Sequence, residues 1–371
     1  MSDAFTVDPR HLESLSRLVF RGYTENFEEP SFDQQTVSSD LACISAMDTI
    51  EREAFLGTAD LHHVAIRALR VIEKAAEAQG DSGLRNWGAE ALHKERLRIE
   101  NAVGFLERIC GTLQAAGCDV VVIKSLDHWP DLGSDLDLYT SGDEHTVIAT
   151  MQKYFGASLE RRSWGDRLAN KWNFSIPGLA ELVEIHVRYL GQTGEHWAIA
   201  RRLVARSRTR VLHERTFRVA APEERVVIST LQRMYRHFYF RLCDMVDSAA
   251  LLRRGDLNFF ELRQAAQLGG IWPGVATYLS LVSEYAGRYG LRLELPAEVI
   301  ASAYSDDIRV FLRGNFLRVP MRPAAGLYGS QLLRAGTRGD VRAVLRLPLL
   351  PPLALSALVA YRVTGSDKGV W

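Results

Sequence analysis

The spacing of apolar and polar residues divides the chain into a helical stretch, a mixed one and a second helical one. Up to about residue 80, SDLACISAMDTI (39–50) and LHHVAIRALRVIEKAAEAQG (61–80) carry apolar residues at three- and four-residue spacing, which predicts helices. QGDSG at 79–83 predicts a turn. A longer amphipathic pattern covers 91–117, with Leu97, Ile99, Val103, Leu106, Ile109 and Leu113 as the expected buried stripe and Gly117 as the stop. The period then changes. CDVVVIKS (118–125) is a β-branched run of the kind found in strands buried on both faces. A loop with Pro130 and Gly133 leads into DLDLYT (135–140), where acid and apolar residues alternate as in a strand with one polar face. TVIATMQKYFGA (146–157) predicts a helix, and 171–190 predicts a hairpin-like pair of strands around Pro177-Gly178. From Pro222 the three- and four-residue spacing returns and runs through 254, with further helices at 259–270 and 274–290.

The expected class is therefore α+β, a small mixed sheet flanked by helical regions. The expected division is an N-terminal helical region (1–86), a mixed unit with its lead-in helix (87–220), a C-terminal helical lobe (221–345) and an apolar tail (346–371). No internal repeat is visible.

Composition narrows the function classes. The 371 residues are 47% hydrophobic and 24% charged, an ordinary globular balance. Lys+Arg and Asp+Glu both total 45, which argues against a chain coated in basic charge for general nucleic-acid binding. Cys43, Cys110, Cys118 and Cys243 form no CxxC pair and no zinc spacing, which fits a reducing cytoplasm. The first residues lack the apolar segment of a secretory signal. The tail segment 347–361 lies between Arg346 and Arg362. It falls short of the ~20 apolar residues of a spanning helix. Pro348, Pro351 and Pro352 interrupt it, so it is expected to pack on the body without a stable membrane span. The sequence carries no signal of oligomeric state.

Chemistry concentrates around Gly133-Ser134-Asp135-Leu136-Asp137-Leu138. On a strand, residues two apart share a face, so Asp135 and Asp137 present adjacent carboxylates. Such a pair disfavours its own ionisation, and a divalent cation reverses that cost. In Leu182-Val183-Glu184-Ile185-His186-Val187 the same alternation puts Glu184 and His186 on one face. If the two strands are neighbours, Asp135, Asp137 and Glu184 form a carboxylate cluster. Lys124-Ser125 ends the preceding strand, where backbone N–H groups, a hydroxyl and a positive charge suit phosphate oxygens.

Lys124-Ser125, Asp135-Leu136-Asp137 and Glu184, in this order and spacing, resemble the nucleotidyltransferase superfamily with the polymerase-beta-type palm. The chain also resembles an uncharacterised bacterial nucleotidyltransferase family with a helical lead-in. That likeness is carried by Ala115-Ala116-Gly117 through Lys124, by Val183-Glu184-Ile185-His186, and by His237, Arg241-Leu242 and Asp247, and covers about Trp87 to Leu268. Ser125 stands where that family has Gly, an Arg before the acids is missing, and Glu184 stands where Asp is common.

The resemblance implies transfer of a nucleoside monophosphate from an NTP to an acceptor hydroxyl, with pyrophosphate leaving. Asp135, Asp137 and Glu184 are the implied catalytic and metal-holding residues, for Mg2+ or alternatively Mn2+. Lys124, Ser125, Gly133, Ser134, His186, His237 and Arg241 are the implied nucleotide contacts. His237, Arg241 and Asp247 are expected on one helix, whose alternative role is to fasten the lobe to the sheet. Two arginine runs, 201–218 and 309–346, read either as solvated faces or as a surface for an anionic acceptor such as tRNA. A small hydroxylated molecule or a protein side chain fits as acceptor equally well. Two other readings stand beside this one: a non-catalytic nucleotide-binding or scaffolding palm, and a DxD glycosyltransferase, which helices in place of βαβ repeats speak against.

Overall fold

In a computed structural model the chain is described over residues 6–23, 27, 29–32, 34–304 and 308–364. Five helices come first: α1 (Pro9–Arg21), α2 (Gln34–Ser45), α3 (Thr49–Leu61), α4 (Ala65–Gln79) and α5 (Ser82–Ala115). The mixed unit comprises β1 (Val120–Val122), β2 (Asp135–Thr140), α6 (Glu144–Phe155), β3 (Ser158–Leu159), α7 (Trp164–Ala169), β4 (Lys171–Ser175), β5 (Leu182–Val187), α8 (Trp197–Arg206), β6 (Arg208–Leu212) and β7 (Arg215–Val219). Then follow α9 (Pro222–Gln232), β8 (Tyr239–Phe240), α10 (Leu242–Arg254), α11 (Phe259–Gly269), α12 (Trp272–Arg288), α13 (Ala297–Ser302), β9 (Phe311–Arg313), β10 (Phe316–Arg318), α14 (Met321–Thr337), α15 (Val341–Arg346) and α16 (Leu350–Thr364). The α+β expectation holds.

β1 to β7 form a seven-stranded mixed sheet in the order β3-β4-β5-β2-β1-β7-β6. β2 lies antiparallel to β1 and parallel to β5, with Asp137 opposite Glu184 and Tyr139 opposite His186. Strand alternation sorts these residues between two cores. Leu136, Leu138, Val183 and Ile185 pack on the α5 side with Ile99, Val103, Leu106, Ile109 and Leu113. Val121, Ile123 and Tyr139 pack on the other side, in a core shared by α1, α4, α9, α10 and α12. The N-terminal and C-terminal helices therefore share one core: Ser16 and Tyr285 hydroxyls meet at 2.8 Å, and Phe20 stacks on Tyr289. Asp135, Asp137 and Glu184 alternate onto this second face and look toward the helical lobe.

Three local expectations change. Leu97 is 59% exposed. It precedes Ile99 by two residues, about 200° around a helix, which takes it off the buried stripe. Gly117, by contrast, stops α5 as expected, with φ +82 and the Cys118 N–H donating to the Leu113 carbonyl at 2.9 Å. The periodic run from Pro222 is not one helix. α9 gives way to a π-turn at Arg233–His237, Phe238 takes φ +56, and β8 pairs with β10 before α10 starts at Leu242. In the tail, Leu347 and Leu350 pack on Ala335 and Ala343, while Leu355 and Val359 on α16 are exposed. Residues 365–371 of the tail lie outside the described residues. Among the described residues, no helix is long and apolar enough to cross a membrane.

Candidate active site

A cleft of about 180 Å³ opens between the second face of the sheet and the helical lobe. Lys124, Ser125, Gly133, Ser134, Asp135, Asp137, Glu184, His237 and Arg241 all line it. His186, two residues beyond Glu184 on β5, lines the adjoining hollow. The sheet supplies the acids. The opposite wall is basic: Arg233 and Arg236 come from the π-turn and Arg241 from the residue before α10. The π-turn alters the phase of the helix, a distortion common at functional sites, and brings Arg233, Arg236 and His237 to one wall.

Lys124 occupies the centre. Its φ of +63 and ψ of −55, with the Ser125 N–H donating to the Ile123 carbonyl at 2.7 Å, make a left-handed γ-turn. That conformation is strained for a residue with a Cβ, and strain of this kind collects at functional sites. Its ammonium pairs with Asp137 and lies 3.6 Å from Glu184. Ser125 is buried, and its hydroxyl accepts the Asp137 N–H at 2.7 Å, so it fixes the acid-bearing strand. Ser134 is exposed at the start of β2.

The three acids differ in their surroundings. Glu184 accepts from Lys171 at 2.8 Å and from His186 Nε2 at 2.8 Å. Burial opposes its charge, but Lys171 and Lys124 hold its carboxyl well below the usual range. Burial pushes Asp137 up to about 7 against the pull of Lys124, and Glu184 and Asp135 add to the rise. Asp135 makes no ion pair among the described residues, and burial and Glu184 raise its carboxyl. Burial keeps His186 neutral down to about 4. Burial, reinforced by the neighbouring arginines, lowers His237 and His63 well below the usual range.

These groups fit a hard divalent cation at the Asp135–Asp137 end. Two half-buried acids with raised carboxyls gain from a positive charge, and oxygen donors suit magnesium. Glu184 is already compensated by two lysines. Asp137, Glu184 and His186 each bring a ligand atom within 4.8 Å of the others, and Asp135 stands outside that group.

Several cleft residues escape sequence reasoning. His63, between α3 and α4, accepts from Arg241 Nη1 at 2.5 Å. Arg236 has no hydrogen-bond or ion-pair partner among the described residues, and its Nε is buried. Lys171 joins Asp166 to Glu184. For Arg233 and Arg236, the sequence trace is the run RMYRH over the π-turn. Asp247 lies away from the acids. It accepts from His128 Nδ1 at 2.5 Å and from Arg67 at 2.8 Å, and so fastens the loop after β1 to α10 and α4. Of the first arginine run, Arg202, Arg206, Arg215 and Arg218 pair with Glu224, Glu223, Glu100 and Asp119 of the same chain.

No family model and no curated protein matches the chain. Among solved structures, it is similar to the crystal structure of an antigenic nucleotidyltransferase-like protein from Paracoccidioides brasiliensis. The match has 15% identity and a TM-score of 0.30, and covers 54% of this chain and 94% of that one. A likeness of this degree carries no functional weight.

Proposed function

We propose that the chain is a metal-dependent nucleotidyltransferase, moving a nucleoside monophosphate from an NTP to a hydroxyl of an acceptor as pyrophosphate leaves. One observation carries this reading: Asp137 and Glu184 are paired in register with Asp135 two residues away, opposite a wall of arginines. Asp135 and Asp137, with Glu184 beside them, would hold Mg2+ or Mn2+. Bound there, the cation would neutralise phosphate charge and acidify the acceptor hydroxyl. Arg236, which has no partner among the described residues, and Arg241 would bind the β- and γ-phosphates. Gly133 and Ser134 would offer backbone N–H groups to the same oxygens. Ser125 would keep Asp137 in line. His237, held neutral, would donate a hydrogen bond without adding charge, and His63 would hold the Arg241 guanidinium in place. The helical lobe would exclude water, so that positioning and fixed charge do most of the catalysis.

A second reading has one specific observation in its favour. Lys124, Lys171 and His186 already satisfy Glu184, as in a palm that binds or scaffolds without turnover. Calorimetric titration with ATP, GTP, CTP and UTP in magnesium, on wild type and Asp135→Asn/Asp137→Asn, separates the two. Metal-dependent binding lost in the variant, followed by pyrophosphate release, supports the enzyme. Binding without turnover for any acceptor class supports the scaffold, and no binding of any nucleotide refutes the first reading.

A further inference from the structure

A second hollow adjoins the carboxylate cleft and shares Lys124, Gln232 and Arg236 with it. One part of its wall is apolar, formed by Ile123, Leu190, Ile228 and Leu231, and Glu195 and Tyr235 stand among the residues that complete it. His186 and Gln192 line it with hydrogen-bonding capacity unused, His186 through a buried ring nitrogen and Gln192 through a carboxamide that is not fully enclosed. His186 is 6% exposed, and its Nε2 faces a carboxylate, so Nε2 carries the hydrogen. Its Nδ1 is then a lone-pair acceptor, and it is buried with no partner. Gln192 is also 6% exposed and makes no hydrogen bond among the described residues. An unbonded buried polar group costs about 1–3 kcal/mol. One such nitrogen beside an unpartnered carboxamide, against a partly apolar wall, matches the pattern of a ligand pocket in which placed polar groups fix orientation.

The hollow is built rather than incidental. A Cβ on Gly165 would stand 2.4 Å from Gln192 Nε2, so residue 165 leaves the room that the carboxamide fills. Gly191, at φ +92, wraps the chain over Glu195, where a Cβ would lie 2.4 Å from the carboxylate carbon. The loop is also tied down from α15, where Arg342 Nε donates to the Gly194 carbonyl at 2.7 Å.

We propose that this hollow anchors the acceptor through a hydroxyl: it takes the end of a compact aliphatic polyol, whose O–H donates to His186 Nδ1 while its oxygen accepts from the Gln192 carboxamide. This rests on the nucleotidyltransferase reading only in calling the ligand an acceptor. The hollow's volume is about 50 Å³. A cavity that binds benzene has roughly 150 Å³. In its present shape the hollow seats a short aliphatic end and not a nucleobase. The anchoring hydroxyl is distinct from the reacting one, which lies toward Asp137.

The test uses 2-propanol and acetone, which are close in size, present a single methyl as the entering end and differ in the hydroxyl donor. The full chain is labelled at isoleucine and leucine methyls and titrated with each. Saturable shifts at Ile123, Ile228 and Leu190 are expected with the alcohol, and at least tenfold weaker binding with the ketone. Gln192→Leu weakens the alcohol at least fivefold, and Ile228→Phe fills the hollow and abolishes its binding. If Ile228→Phe does not fold, Gln192→Leu still decides. Equal binding of alcohol and ketone, no shift at these methyls, or no effect of Gln192→Leu overturns the proposal. ATP with magnesium is titrated into the same wild-type preparation. Alcohol binding without nucleotide binding leaves the hollow as an alcohol site and removes the transferase reading. Nucleotide binding without alcohol binding does the reverse.

Discussion

Lys124→Met isolates the role of the central ammonium. Methionine keeps the length and the non-glycine backbone, so the γ-turn strain is unchanged and the charge is lost. Removing one partner of a buried ion pair costs about 3–5 kcal/mol. Lys124, Asp137 and Glu184 keep 12%, 13% and 14% of their side chains exposed, and Glu184 retains Lys171. Residual hydration and that second lysine reduce the expected loss to about 2–3 kcal/mol at pH 8. The loss depends on pH with a definite sign. Burial raises Asp137 to about 7, from 3.8 without it, and Lys124 opposes the rise. In the variant the folded carboxyl therefore binds its proton more tightly still. The native state then holds more protons than the unfolded chain above pH 4, so its stability falls as pH rises through 7. The variant should be close to wild type at pH 5 and most destabilised at pH 8. Magnesium should reverse the deficit, because the cation takes the place of the ammonium. Stabilisation by a ligand reaches about 2.7 kcal/mol at a hundredfold excess over Kd. Thermal melts at pH 5 and 8, with and without magnesium, measure this, and calorimetry should give tighter magnesium binding than in wild type. A deficit independent of pH, or unchanged by magnesium, would refute the placement of Lys124 as counter-ion to the acids.

Further outcomes follow from the same geometry. Asp135→Asn should match or exceed wild-type stability in urea titrations, because burial and Glu184 already disfavour its charge, while nucleotide transfer is lost; marked destabilisation would show a structural acid instead. Gly191→Ala forces a Cβ into the Glu195 carboxylate at φ +92 and should cost about 2 kcal/mol or more, read from the melting temperature. His62 accepts the Leu242 N–H at 3.0 Å, and burial keeps it neutral down to about 4. The unfolded chain protonates this residue near 6.5, so acidification from pH 7 to 5 should remove about 2 kcal/mol through His62 alone. His62→Asn should flatten the pH dependence by that amount, and an unchanged slope would contradict the burial argument.

Much of this site is legible from local pattern. The alternation in DLDLYT and LVEIHV sets which residues share a face, since side-chain direction in a strand repeats every two residues wherever the strand lies. Asp135 with Asp137, and Glu184 with His186, follow from that alone. The hidden half comes from distant chain. His63 enters from the α3–α4 junction, and Lys171 from β4. The π-turn breaks a run that reads as one continuous helix, because the pairing of β8 with β10 fixes Tyr239 and Phe240 in strand geometry. Arg202 and Arg206 look like a basic patch until α8 packs on α9 and α11, where Glu223, Glu224 and Glu261 await them.

Local pattern was enough for α5, β1, β2, α6, β4 and β5, for the two acid-bearing faces and for the order of the motifs, because each depends on residues within one or two turns of chain. The π-turn, the small second sheet, the pairing of Asp137 with Glu184, the place of Lys124 between them and the meeting of His186 and Gln192 in one hollow arise only when distant segments pack together. Strand register and helix docking are settled by burial summed over the whole core, and no local spacing records them.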